Sequence, residues 1–182
     1  MKPGNFILYS GGARGAEAEF GIQAEKVGVQ EVNFTFEGHK IVRSRGVRVL
    51  TTDELLKGDV SLAYLAKLMN RKFNTGKTFK KVLQSIWHQI NCAEEVFVIG
   101  RILEDKTVKG GTGWGAEFSK LCNKPLHVFD QDQGSWFKWS GSSWKIEKKL
   151  KIKHKYFAGT GTRFLNGKGK SAIKDLFLAS FK

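Results

Sequence analysis

Ser10-Gly11-Gly12-Ala13-Arg14-Gly15-Ala16-Glu17 and Gly110-Gly111-Thr112-Gly113-Trp114-Gly115-Ala116-Glu117 read as two glycine-rich turns, each at the end of a strand and the start of a helix. The first follows the apolar run Phe6-Ile7-Leu8-Tyr9 and the second Val96-Phe97-Val98-Ile99, and both carry a Glu at the same offset. Glycines let the backbone approach an anion closely, and the helix N-terminus beyond them offers unpaired N–H groups and a partial positive charge. The doubled pattern points to a phosphate-bearing ligand held by an α/β fold.

Outward from the first turn, the chain reads as strand 5–10, helix 14–27 and strand 29–36, where Val32, Phe34 and Phe36 alternate with Glu31, Asn33 and Thr35. A basic stretch over 38–50 holds Arg43, Arg45 and Arg48, and Thr51-Thr52-Asp53-Glu54 marks a helix start. Helices are expected over 53–69 and 78–92, joined by a loop over 70–77. Around the second turn the pattern repeats as strand 95–101, helix 114–122 and strand 125–130. Trp136-Phe137-Lys138-Trp139 and Trp144-Lys145-Ile146 flank Ser140-Gly141-Ser142-Ser143, which predicts a β-hairpin at a sheet edge.

The chain closes with a short strand, Tyr156-Phe157-Ala158, a third glycine turn, Gly159-Thr160-Gly161-Thr162-Arg163, and a helix from about Lys168 with Ile173, Leu176, Phe177 and Phe181 on one face. Strands alternating with helices imply a Rossmann-like, mainly parallel sheet covered on both faces. All three glycine turns would gather at its carboxyl edge.

The 182 residues suit one domain, 1–182. A formal charge of +14 favours anionic partners, including nucleic acid bound through the basic surface. Within Lys145-Ile146-Glu147-Lys148-Lys149-Leu150-Lys151-Ile152-Lys153-His154-Lys155 the apolar residues alternate with charges, as on a solvated strand. Cys92 and Cys122 lack the spacing of a disulfide framework or a zinc site, the four His lack metal-ligand spacing, and no cofactor is indicated. No apolar run reaches the roughly 20 residues that span a bilayer, and the N-terminus lacks a signal-peptide pattern, so a cytoplasmic, non-membrane protein is expected. Self-association into a homodimer is left open.

The first stretch resembles the Ser-Gly-Gly-Ala-x-Gly-Ala-Asp signature of the SLOG superfamily, Rossmann-like proteins that include the YpsA group, the DNA-processing protein of natural transformation and the Lonely Guy phosphoribohydrolases. The second is similar to the Lonely Guy motif Pro-Gly-Gly-x-Gly-Thr-x-x-Glu from its second residue onward, and Lys124-Pro125-Leu126-His127-Val128-Phe129 resembles the superfamily's Lys-Pro-Val strand. Ala158-Gly159-Thr160-Gly161-Thr162-Arg163 looks like the turn that ends the first strand in most members, yet here it comes last. That order resembles the circularly permuted YpsA-related group, and it implies that the final βα unit lies inside the sheet beside the first strand. Lys109 stands in place of the motif's Pro, Trp114 in place of its Thr, and Glu17 in place of the first signature's Asp. The resemblance offers Arg71-Lys72 for that enzyme group's Arg-Lys pair.

Two functions follow. A nucleotide-binding sensor or sequestering module, for a nucleotide or an ADP-ribose-like signal, needs only the loops: Ser10 to Gly15, Gly110 to Trp114, and Gly159 to Arg163. There Arg14 and Arg163 would clamp phosphate with a planar fork. A phosphoribohydrolase-like N-glycosidase also needs a carboxylate near the sugar to stabilise an oxocarbenium-like transition state. Glu117 is the candidate, with Glu17 as a second. Trp114 either covers the ligand or packs beneath the loop. Trp87-His88-Gln89 either recognises a base or makes an ordinary helix-to-sheet contact.

Overall fold

Val96, Val98 and Ile99 of one strand and Leu126 and Val128 of the next are fully buried, as expected of central strands covered on both faces. The computed structural model describes residues 2–72 and 76–182. After a 3-10 turn at Pro3–Asn5 the elements run β1 (Ile7–Ser10), α1 (Ala16–Val27), β2 (Gln30–Thr35), β3 (Val47–Val49), α2 (Thr52–Leu56), α3 (Asp59–Leu68) and α4 (Lys77–Cys92). There follow β4 (Glu95–Gly100), α5 (Thr112–Leu121), β5 (Leu126–Asp130), β6 (Ser135–Trp139), β7 (Trp144–Ile146), β8 (Tyr156–Gly161) and α6 (Gly167–Phe181).

The sheet order is β3-β2-β1-β8-β4-β5-β6-β7, parallel from β3 to β5 and antiparallel through the β6–β7 hairpin. The last strand therefore sits inside the sheet, with Phe157 opposite Leu8 of β1 and Glu95 of β4. Counting β8 first and setting aside the short edge strand β3, the parallel strands β2-β1-β8-β4-β5 take the order 3-2-1-4-5, the doubly wound arrangement. The fold is Rossmann-like.

Helices α1 and α6 cover one face over Phe20, Phe97, Phe157 and Phe177, all fully buried. Helices α3, α4 and α5 cover the other over Leu62, Leu83, Ile90 and Val98. Local chemistry fixes the ends. Thr51 and Glu54 form a capping box at α2, Asn166 caps α6 through the Gly169 amide at 2.8 Å, and Lys124 Nζ donates to the carbonyls of Ile90, Asn91 and Ala93 at the end of α4.

Four expectations need correction. The helix over 53–69 is broken at Lys57-Gly58 into α2 and α3, and the basic stretch contains β3, an exposed edge strand. Gly159-Thr160-Gly161 is strand and not turn, because Gly159 leaves room for the Phe20 ring, which a Cβ there would approach to 2.6 Å. In the lysine run Ile146 is exposed, but Leu150 and Ile152 join the core beside α6. Of the loop over 70–77, Phe73-Asn74-Thr75 lies outside the described residues.

Candidate functional site

The chain leaves β1 through α1 toward β2 and leaves β4 through α5 toward β5, in opposite directions along the sheet, with β8 between them. That divergence is a topological switch point, and a crevice opens beyond the carboxyl ends of such strands. The loop after β1, the loop after β8 and the loop before α5 all belong to this edge.

The first loop is locked to the third. Gly15 takes φ +97°, the Ala16 amide donates to the Thr162 carbonyl at 3.0 Å, and a Cβ on Gly15 would lie 2.5 Å from that carbonyl oxygen. Ser10 Oγ donates to the Gly159 carbonyl at 2.7 Å. Beneath the loop the buried Glu17 carboxylate accepts from the Ala13 amide at 3.1 Å, from Thr160 Oγ1 at 2.9 Å, and from the Gln89 side chain. Burial pushes the Glu17 pKa up, against the pull of these donors. Among the described residues the amides of Gly11, Gly12, Arg14 and Gly15 have no acceptor, and α1 has no side-chain cap. Arg14 and Arg163 are exposed and without an ion-pair partner among the described residues. Two buried acceptors flank the same loop without a partner among the described residues, Asn33 Oδ1 and Gln89 Oε1.

The second loop is built differently. Arg71 donates to the carbonyls of Val108 and Gly110 and to Thr107 Oγ1, which fastens the segment between β4 and α5. The resemblance's catalytic candidate is thus a loop clamp. Trp114 is buried and belongs to the same core cluster as Leu62, Leu65 and Phe118, so its ring packs beneath the loop. Glu117 is paired with Lys120 at 2.7 Å. The Lys120 ammonium also donates to the Lys106 carbonyl and lies 3.9 Å from the Trp139 ring centre and 5.0 Å from that of Trp144. Gly113, one turn before Glu117, faces the Val108 carbonyl, whereas Gly115 faces Thr160. Glu117 therefore points to the hairpin side of α5, away from the crevice, because two residues turn a helix by about 200°. The amides of Gly110, Gly111 and Thr112 remain without acceptors among the described residues.

The structure thus brings together Gly11 to Gly15, Thr160, Thr162, Arg163 and Glu17, and it separates Glu117 and the Trp114 ring from them. Trp87 packs on Phe118, and the His88 ring is bonded to the Glu54 carbonyl, so of the Trp87-His88-Gln89 cluster only Gln89 reaches the site. Sequence reasoning missed Phe164. The residue is 83% exposed next to Arg163, while its amide is held by Thr162 Oγ1 and its carbonyl by Gln131. The signal was an aromatic residue directly after the glycine-arginine turn. An open groove of about 510 Å³ begins just beyond it in the chain, lined by Phe129, Trp136, Lys168, Ser171 and Asp175; the first two loops do not line it. Among the described residues no cluster of His, Cys, Asp or Glu is arranged to hold a metal ion, and no helix is long and apolar enough to cross a membrane.

No family model matches the sequence, and no curated protein matches it significantly. Among solved structures, the chain is similar to the crystal structure of a "putative molybdenum carrier protein" from Syntrophus aciditrophicus SB, with a TM-score of 0.54 and 16% identity over 100% of this chain and 98% of that one. At that identity the likeness concerns the fold: the two chains share a Rossmann-like α/β architecture along nearly their whole lengths.

Proposed function

We propose that the protein is a single-domain binder of a small phosphate-bearing ligand, a nucleotide or nucleotide-derived compound, acting as a sensor or sequestering module. One observation carries the reading: the amides of Gly11, Gly12, Arg14 and Gly15 lack acceptors among the described residues at the start of α1, with Arg14 and Arg163 exposed beside them. Such an arrangement suits an anion, since donors and dipole act together. The phosphate would sit at these amides. The base would lie against Phe164, whose backbone is already fixed and whose exposed ring gains by stacking. The SLOG resemblance supports a nucleotide, and the structural neighbour's name, a molybdenum carrier, supports a small-ligand role. A glycosidase needs a free carboxylate near the sugar; Glu117 is held by Lys120, and Glu17, the second candidate, is buried beneath the first loop with its oxygens bonded to Ala13 and Thr160, which supports binding over turnover.

The test is thermal unfolding against a panel of nucleoside monophosphates, ADP-ribose, ribose 5-phosphate, inorganic phosphate and molybdate. At about 100 times Kd a ligand adds about 2.7 kcal/mol of stability. A phosphate-bearing nucleotide should raise Tm by several degrees, and ribose 5-phosphate less. No shift with any phosphate compound overturns the proposal, and a shift with molybdate alone reassigns the ligand.

A further inference from the structure

We propose that residues 147–155 form a fixed comb of lysines that binds single-stranded nucleic acid at the amino edge of the sheet, opposite the glycine loops. Lys148, Lys149, Lys151, Lys153 and Lys155 are all exposed, and none has an ion-pair partner among the described residues. Their backbone is pinned. Leu150 and Ile152 are buried in the core beside α6, the Ile152 amide donates to Ser180 Oγ at 2.8 Å, and the Lys153 amide donates to the buried Glu95 carboxylate at 2.9 Å. The Lys155 carbonyl accepts from the Ile7 amide at the start of β1, which sets the segment at that edge.

The five lysines outnumber the acids beside them, of which Glu147 lies partly exposed at the start of the segment. Glu95 is turned inward onto His127 and the Lys153 and His154 amides, and Glu94 faces His154 at 4.0 Å. With Leu150 and Ile152 inward, Lys149, Lys151 and Lys153 face outward on every second residue; the segment is irregular, bending at 148–149 and 154–155, and where such a chain is locally extended alternate residues lie roughly 6–7 Å apart. A row of cations at that spacing suits a linear polyphosphate, and because the backbone is already ordered, binding does not have to order it. Tyr156, exposed at the end of the row, adds an aromatic face for a base. A bilayer would call for apolar side chains facing outward between the lysines, whereas Leu150 and Ile152 face inward.

The experiment measures fluorescence anisotropy of a labelled oligothymidylate of about twenty nucleotides against the full-length protein over a salt series. Each phosphate neutralised contributes about −0.7 to the slope of log K against log salt, so four or five lysines give about −3. The triple variant Lys149→Gln, Lys151→Gln, Lys153→Gln should lower affinity at low salt at least tenfold and reduce the slope by about 2. The control triple Lys57→Gln, Lys67→Gln, Lys72→Gln removes the same charge elsewhere and should change affinity less than twofold. Arg14→Ala should leave strand binding intact, which separates this surface from the ligand site. Circular dichroism and Tm confirm that each variant is folded. The proposal is overturned by absence of binding at low salt, by equal loss in the two triple variants, or by tighter comb-dependent binding to phosphatidylglycerol vesicles than to the strand.

Discussion

The first and second glycine loops carry nearly the same residues at the same offsets, yet their acids finish in different places. Helix α1 begins at Ala16, one residue before Glu17, whereas α5 begins at Thr112, five residues before Glu117. Glu17 thus lies in the first turn, where it folds back onto the Ala13 amide. Glu117 lies in the second turn and meets Lys120 one turn on. The carbonyls of the second loop are gripped by Arg71, while the first loop relies on Gly15 fitting against Thr162 and Arg163. A shared motif does not carry a shared role when the helix starts at a different residue.

The sharpest way to break this contrast is at the glycines themselves. Gly15→Ala places a Cβ 2.5 Å from the Thr162 carbonyl oxygen in a backbone with φ +97°, so it should cost about 3 kcal/mol or more in urea unfolding or abolish folding. Gly111→Ala sits in right-handed helical backbone with only the Phe79 ring at 3.5 Å, and it should change stability by less than about 1 kcal/mol. Equal costs at the two positions would show that the loops are equivalent after all.

Ligand binding gives the next largest effect. Arg14→Ala with Arg163→Ala should weaken nucleotide affinity about 10- to 100-fold by titration calorimetry, the scale of losing charged hydrogen bonds. Lys109→Ala in the second loop should change it less than threefold. A larger loss at Lys109 would move the site to the second loop.

The acids distinguish the loops by pH. Because burial raises the Glu17 pKa, the native state holds a proton that the unfolded chain releases near 4.5. Its contribution is therefore full below that value and falls as pH rises toward the native pKa. In Glu17→Gln this fall is absent, so wild-type stability measured relative to the variant should decline upward from about pH 4.5. A pH-independent difference would mean that Glu17 is solvated.

The smallest effect belongs to Glu117→Gln. It should cost about 0.5 kcal/mol, as for a partly exposed ion pair, and leave nucleotide-induced stabilisation unchanged. A hundredfold fall in base release from a nucleoside monophosphate would instead restore Glu117 as a catalytic acid.

Much of the architecture was legible. The runs 6–9 and 96–99 and the stretch 125–130 read as strands because central strands are largely apolar on both faces, and Ser140-Gly141-Ser142-Ser143 announced the hairpin. The interior position of β8 followed from the order of the motifs. Strand β3 was not legible: Val47-Arg48-Val49 is short and exposed, and pairing with β2 defines it. The burial of Leu150 and Ile152 was hidden by the lysines around them, since alternation alone does not say which face meets a core.

The sequence by itself determined the alternation of strands and helices, the glycine-rich loops that follow β1 and precede α5, and the excess of positive charge, because periodicity, glycine content and net charge are local or additive properties. Only the tertiary structure decided that Glu17 folds back beneath the first loop, that Arg71 fastens the second, that Lys120 holds Glu117, and that Phe164 stands exposed beside Arg163. These depend on contacts between residues distant in the chain, and on helix starts that shift by a few residues when such contacts form. No local pattern encodes either.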